Sequence, residues 1–234
     1  MSSSLDCAAC GSALVVTLNR EERRNAIDDH LRNALLARLR AEPDPTSRVL
    51  VLRARGPVFS AGNDIKMLEA TGAAGGAEAL GRLQLETLQL LHAFVTFPLP
   101  TLAVVDGPVY GFAADIVTHC DWVIGSEGAT FHWPEWNFGI MPTGSSLERS
   151  GPDFVWRGLS KGFTAHEAYS SGLLKQLDKR EDLDAGLRAH TGWISELSPG
   201  MYEAWRAAVL SIRRPPPSLW SRLPGLWAPQ EERP

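Results

Sequence analysis

No stretch of this chain stays apolar for the roughly 18 residues that a bilayer-spanning helix needs, so no membrane partner is expected. Its first residues, MSSSLDCAACGSALVV, lack the charged start and long apolar core of a secretory signal. Basic residues are not in excess: 23 Lys and Arg stand against 27 Asp and Glu, a net charge of −4. Nucleic acid needs a basic face that this balance does not supply. Cysteine is scarce, with only Cys7, Cys10 and Cys120, as suits a reducing compartment. Cys7-x-x-Cys10 has no second pair at ligand spacing, so it reads as a frayed terminal pair and no metal site is expected. No segment repeats at a fixed period. The expectation from these absences is a cytoplasmic protein.

What remains is ordinary globular material, 44% hydrophobic and 21% charged over 234 residues, enough for one large core. ALVVTLNR (Ala13 to Arg20) reads as a short buried strand, and Ile27, Leu31, Leu35 and Leu39 then recur at helical spacing. RVLVLRA is a second strand. ATGAAGGAEA reads as a mobile Gly/Ala loop, and LGRLQLETLQLLHAFVTF as a helix stopped by Pro98 and Pro100. TLAVVDG is a third strand, GFAADIVTHCD a helix, and WVIGSE and ATFHW two more short strands. Strands alternating with helices imply βαβ units and a mainly parallel sheet. From about residue 144 the pattern is helical. Eight tryptophans are many for this length, most of them beyond residue 130. The last stretch, RRPPPSLWSRLPGLWAPQEERP, is rich in Pro and reads as an extended tail that docks.

Two corners stand out. VFSAGNDIKML leaves a strand through Ser60-Ala61-Gly62-Asn63 and continues into helix-friendly residues. VVDGPVYGFAAD does the same, with a helix beginning beyond Gly111. Small residues allow a sharp turn and a close approach to the backbone. Each helix leaves its first N–H groups unpaired. Either corner alone suits a plain strand-to-helix turn. Two together can aim backbone donors at one oxygen, as an oxyanion hole does.

VFSAGNDIKML, the stretch PTLAVVDGPVYGFAADIVTHCDWVIGSEGATFHWPEWNFGIMP and the later TAHEAYSSGLLKQL resemble the crotonase superfamily, also called the enoyl-CoA hydratase/isomerase family. The resemblance runs in order from about Leu14 to Leu177. It implies an α/β fold with a crotonase-like ββα spiral core over residues 1–143, a C-terminal helical region over 144–214, and the Pro/Trp-rich tail over 215–234. It implies an enzyme, a lyase or isomerase, that acts on an acyl thioester through an enolate. CoA enters as part of the substrate, with no separate cofactor. The partners implied are acyl-CoA, or another acyl thioester such as one on a carrier protein, and a homotrimer or dimer of trimers.

Carried over by position, the resemblance makes the amides of Asn63 and Phe112 the oxyanion donors, and Phe112 places a bulky ring beside the thioester. Glu135, in WPEWNFGIMP, matches one of the two glutamates that hydratases of the family use. The other falls on Asp115, a second catalytic candidate whose carboxylate is one methylene shorter, so that it acts through a water or does not act directly. A carboxylate favoured in the first turn of a helix is its competing reading. His132 and Trp133 precede Pro134-Glu135 and are candidate pocket residues, although TFHW also suits a strand of alternating burial. Arg24, Ala61, Asp64, Ile65 and Lys66 border the expected substrate path. Arg24 and Lys66 read equally well as solvated charges. His119-Cys120 is not a nucleophile pair, because neighbours on a helix point different ways.

Departures from the family keep other readings open. The segment between Pro142 and Ala165 is shorter than the family's, with Ser145-Ser146 after the proline, and the C-terminal part is compact. A C–C-bond hydrolase of β-diketones on the same fold, and a non-catalytic accessory protein that retains the fold, both accommodate them.

Overall fold

The computed structural model describes residues 3–135 and 161–212. The Ser145-Ser146 pair, the short segment after Pro142 and the tail from Arg213 onward lie outside them.

A six-stranded sheet runs in the order β1-β2-β3-β4-β6-β9. Its strands are β1 (Leu5–Cys10), β2 (Ala13–Leu18), β3 (Val49–Ala54), β4 (Thr101–Val105), β6 (Trp122–Ser126) and β9 (Gln176–Asp178). Only β1 runs antiparallel to its neighbour. A smaller sheet holds β5 (Pro108–Tyr110), β7 (Thr130–His132) and β8 (Phe163–Thr164), in that order. Chain direction shows the repeat. Strand β4 passes to β5 and then to helix α3 (Phe112–His119). Strand β3 passes through Ser60, which bridges to Val109 of β5, and then into helix α2 (Ile65–Val95). Each turn of this spiral leaves one strand in the large sheet and a shorter contact at the small one.

The central strands are apolar on both faces because both are covered. Along β3, Leu50 and Leu52 join the main core with Ala103, Val105, Phe94 and Phe97. The alternate residues Val49 and Val51 join Leu102, Val104, Ile124 and Leu183 in a second layer, as a period of two requires. Helix α1 (Asp29–Arg40) starts on Asp28, whose side chain accepts from the Leu31 amide at 2.9 Å, and it buries Leu31, Leu35 and Leu39.

Three expectations are corrected. The Gly/Ala stretch is helical: α2 spans Ile65 to Val95 as two helical segments that meet at Gly76, whose backbone (φ 55°, ψ −145°) is not helical. Alanine is the strongest helix former, and it offsets the cost of the glycines on either side of the break. The cysteine-bearing terminus is not frayed, since β1 pairs with β2 along its whole length. The region after 144 carries helices α4 (Ala165–Ser170), α5 (Leu183–Glu196) and α6 (Pro199–Ile212), but it also gives β8 to the small sheet and β9 to the large one. Strands of two or three residues are too short to show a period in sequence.

Candidate active site

The first corner is built by residues that pair within it. Asn25 is fully buried in a left-handed conformation, which asparagine tolerates better than most residues. Its Nδ2 donates to the Arg55 and Val58 carbonyls at 2.8 and 3.0 Å, and its Oδ1 accepts from the Arg20 amide at 2.8 Å. Ser60, also fully buried, donates its hydroxyl to the Asn25 carbonyl at 2.7 Å and accepts from the Gly62 amide at 3.1 Å. Sequence reasoning missed both residues. An Asn able to sit left-handed and a Ser two positions before a turning Gly were the signals available.

These bonds fix where the Asn63 amide points. Ile27 donates to the Gly62 carbonyl at 2.7 Å, and Asp64 donates to the Ile27 carbonyl at 3.0 Å. In such a parallel bridge the middle residue, Asn63, turns its own N–H to the opposite side. The second corner packs against the neighbouring Gly62. A Cβ on Gly62 would lie 2.6 Å from the Tyr110 carbonyl oxygen and 3.3 Å from the Phe112 nitrogen. Neither the Asn63 nor the Phe112 amide has an acceptor among the described residues. The Asn63 side-chain oxygen is buried without a partner as well.

Gly111 precedes α3 with φ 53° and ψ −127°, and its amide donates to the His132 carbonyl at 2.7 Å. A Cβ there would overlap the Glu135 carboxylate, so only glycine lets the two touch. Glu135 Oε2 is buried without a hydrogen-bond partner. Burial first, and the charge of Asp115 second, push its carboxyl up to about 7, against a weak opposing bond from its own backbone N–H. Asp115 is 1% exposed, and its Oδ1 accepts from Trp133 Nε1 at 2.8 Å.

Asn63, Phe112, Glu135 and Asp115 are thus brought together. The Phe112 ring packs in the main core, because the first residue of α3 faces inward. Trp133 is also buried, with its ring edge-on to Phe163 and its N–H on Asp115. His132 is half-buried and stacks on Tyr110, with ring centroids 5.2 Å apart, and burial pushes its pKa below the usual range. The Asp64 side chain caps α2 by accepting from the Lys66 and Met67 amides. The Ala61 amide donates to the Arg24 carbonyl at 2.9 Å. Ile65, Lys66 and Arg24 are exposed. His119 and Cys120 turn to different acceptors, the Asp115 and Ile116 carbonyls. Among the described residues no His, Cys, Asp and Glu cluster suits a metal ion, and no helix is long and apolar enough to cross a membrane.

The family model described as "Enoyl-CoA hydratase/isomerase" matches residues 9–211. The chain belongs to the enoyl-CoA hydratase/isomerase family. A Thermus thermophilus relative, named provisionally as an enoyl-CoA hydratase, is 34% identical over 175 residues, covering 71% of this chain and 68% of its own. Mouse peroxisomal enoyl-CoA delta isomerase 3 is 28% identical over 193 residues, 80% of this chain and 60% of its own length. The crystal structure of an enoyl-CoA hydratase/isomerase from Xanthobacter autotrophicus Py2 superposes with a TM-score of 0.81 at 26% identity, covering 89% of this chain and 79% of that one. The spiral core is therefore the crotonase fold, and the enoyl-CoA hydratase/isomerase family places the chain among lyases and isomerases.

Proposed function

We propose that the chain binds an acyl-CoA thioester, receives its carbonyl oxygen on the Asn63 and Phe112 amides, and moves a proton at C2 with Glu135. The observation that carries this reading is the meeting of two acceptor-free amides beside a buried carboxyl raised to about 7. When Glu135 takes the C2 proton, the electron pair moves onto the carbonyl oxygen. Two fixed N–H groups stabilise that developing charge, and losing one such donor typically costs about 10²–10³-fold in rate. A carboxyl that ionises near neutrality both takes and returns the proton.

CoA comes in as part of the substrate, with Arg24 and Lys66 at the rim as its phosphate partners. Ala61, Asp64 and Ile65 line the way in, and His132 lies beside it. Asp115 contributes through its charge. The assembly in this reading is a homotrimer or dimer of trimers in the cytoplasm.

The test is turnover of a panel of 2-enoyl- and 3-enoyl-CoAs, followed by mass spectrometry and chromatography. Glu135→Gln keeps the shape and removes the base, so it abolishes most turnover while an acyl-CoA still raises the melting temperature. Wild-type protein that neither transforms nor binds any of the panel sinks the reading. A chain that cleaves a β-diketone instead favours the C–C hydrolase.

A further inference from the structure

Asp115 stands one helical turn beyond Gly111, and Gly111 is where the Glu135 carboxylate rests. Side chains on a helix lean toward its N-terminus, so residues four apart share a face. That brings Asp115 beneath Glu135, and the two carboxyl groups interact. Asp115 does not float there. It is 1% exposed and bonded at 2.8 Å to the indole of Trp133, itself 1% exposed. An indole N–H can only donate, so its acceptor must keep a lone pair facing it.

We propose that Trp133 and Asp115 form a buried positioning pair, in which the indole fixes the Asp115 carboxylate as a negative charge beneath Glu135. This rests on the proposed proton transfer at Glu135. Its consequence is that one carboxyl, Glu135, does the proton work. Isomerisation needs no second base: Glu135 takes the proton from C2 of a 3-enoyl thioester, the double bond moves to C2–C3, and the same proton returns to C4.

The groups that face Glu135 narrow the test. Asp115 reaches it from α3, and His132 stands three residues before it at the end of β7. His119 is turned to the Asp115 carbonyl at 2.6 Å, and Tyr110 is stacked on His132. Among the described residues, Asp115 is the charged neighbour that acts on Glu135.

The experiment follows the Glu135 carboxyl by NMR in protein labelled with ¹³C-glutamate, with Glu135→Gln to identify the signal. Asp115→Asn retains an acceptor for the indole and loses the charge. The expected result is a Glu135 midpoint lower by about half a unit to one unit, with the rise of kcat/KM with pH moved the same way. Trp133→Phe, which keeps the ring and removes the donor, moves both in the same direction, because the charge is no longer held in place. An unchanged midpoint in folded Asp115→Asn overturns the proposal. So does a loss of more than about 10²-fold at every pH, the mark of a group that touches the reacting atoms. A lowered midpoint in a protein that turns over no enoyl thioester refutes the proposed function and leaves the positioning pair standing.

Discussion

Glu135 holds its proton more tightly in the folded chain than an ordinary glutamate does, mainly because it is buried and secondly because Asp115 is charged. The sign of the effect on stability follows. A carboxyl raised from 4.5 to about 7 contributes stability below 4.5, loses it as pH climbs through that window, and contributes nothing above it. Relative to wild type, Glu135→Gln therefore becomes progressively more stabilising between about pH 4.5 and pH 7 and then levels off. The ceiling is about 3 kcal/mol for a shift of this size. Denaturant midpoints of both proteins at pH 5 and pH 8 measure it, and a pH-independent difference contradicts the electrostatic account. The gain in stability and the loss of turnover from one substitution mark a residue kept for chemistry at the expense of the fold.

The two strand-to-helix corners are the elements that make the site, and glycine is what lets them meet. Gly111→Ala forces an L-residue to φ 53° and drives its methyl into the Glu135 carboxylate. The expected cost is about 1–3 kcal/mol of stability, with turnover down on the order of 10²-fold from the displaced carboxylate. Circular dichroism melts and steady-state rates check both, and a variant that matches wild type in each removes the close approach from the account. Both corners were legible in sequence, because Gly62 and Gly111 interrupt strong strand patterns just before helical ones. The bonds that support them were not. Asn25, Ser60 and Trp133 act through partners 18 to 35 positions away, at separations no local pattern carries. The Gly/Ala stretch within α2 misled for the opposite reason: its local composition suits a loop, whereas Leu88, Leu90 and Leu91, further along α2, pack onto the core. The direction of the Phe112 ring was likewise a tertiary choice.

At the scale of the whole molecule, α5 and α6 cover the outer face of the large sheet through aromatic rings. Trp122 of β6 stacks on Trp205 at 4.8 Å and meets Trp193 edge-on at 5.7 Å, and Tyr202 stacks on Trp205. Trp193 and Met201 are nonetheless 50% and 63% exposed. The tail, outside the described residues, adds Trp220, Leu223, Leu226 and Trp227, 8 to 15 positions beyond the end of α6. Burying one large apolar side chain contributes about 1.5–3 kcal/mol, so four together outweigh the cost of ordering a short segment. Docking on a neighbouring subunit of a trimer is the expectation, and truncation after Arg214 tests it by light scattering. A fall in mass supports the neighbour, a fall in stability alone means the tail covers its own subunit, and no change means other surfaces hold the assembly.

The central claim is that Glu135 and the two corner amides form an enolate from a thioester. It is tested most directly by exchange of the C2 hydrogens of a saturated acyl-CoA in D₂O, followed by mass spectrometry without any need to guess the product. Wild-type protein is expected to exchange them and Glu135→Gln is not. Exchange that is absent from wild type, or equally fast in Glu135→Gln, would contradict the account.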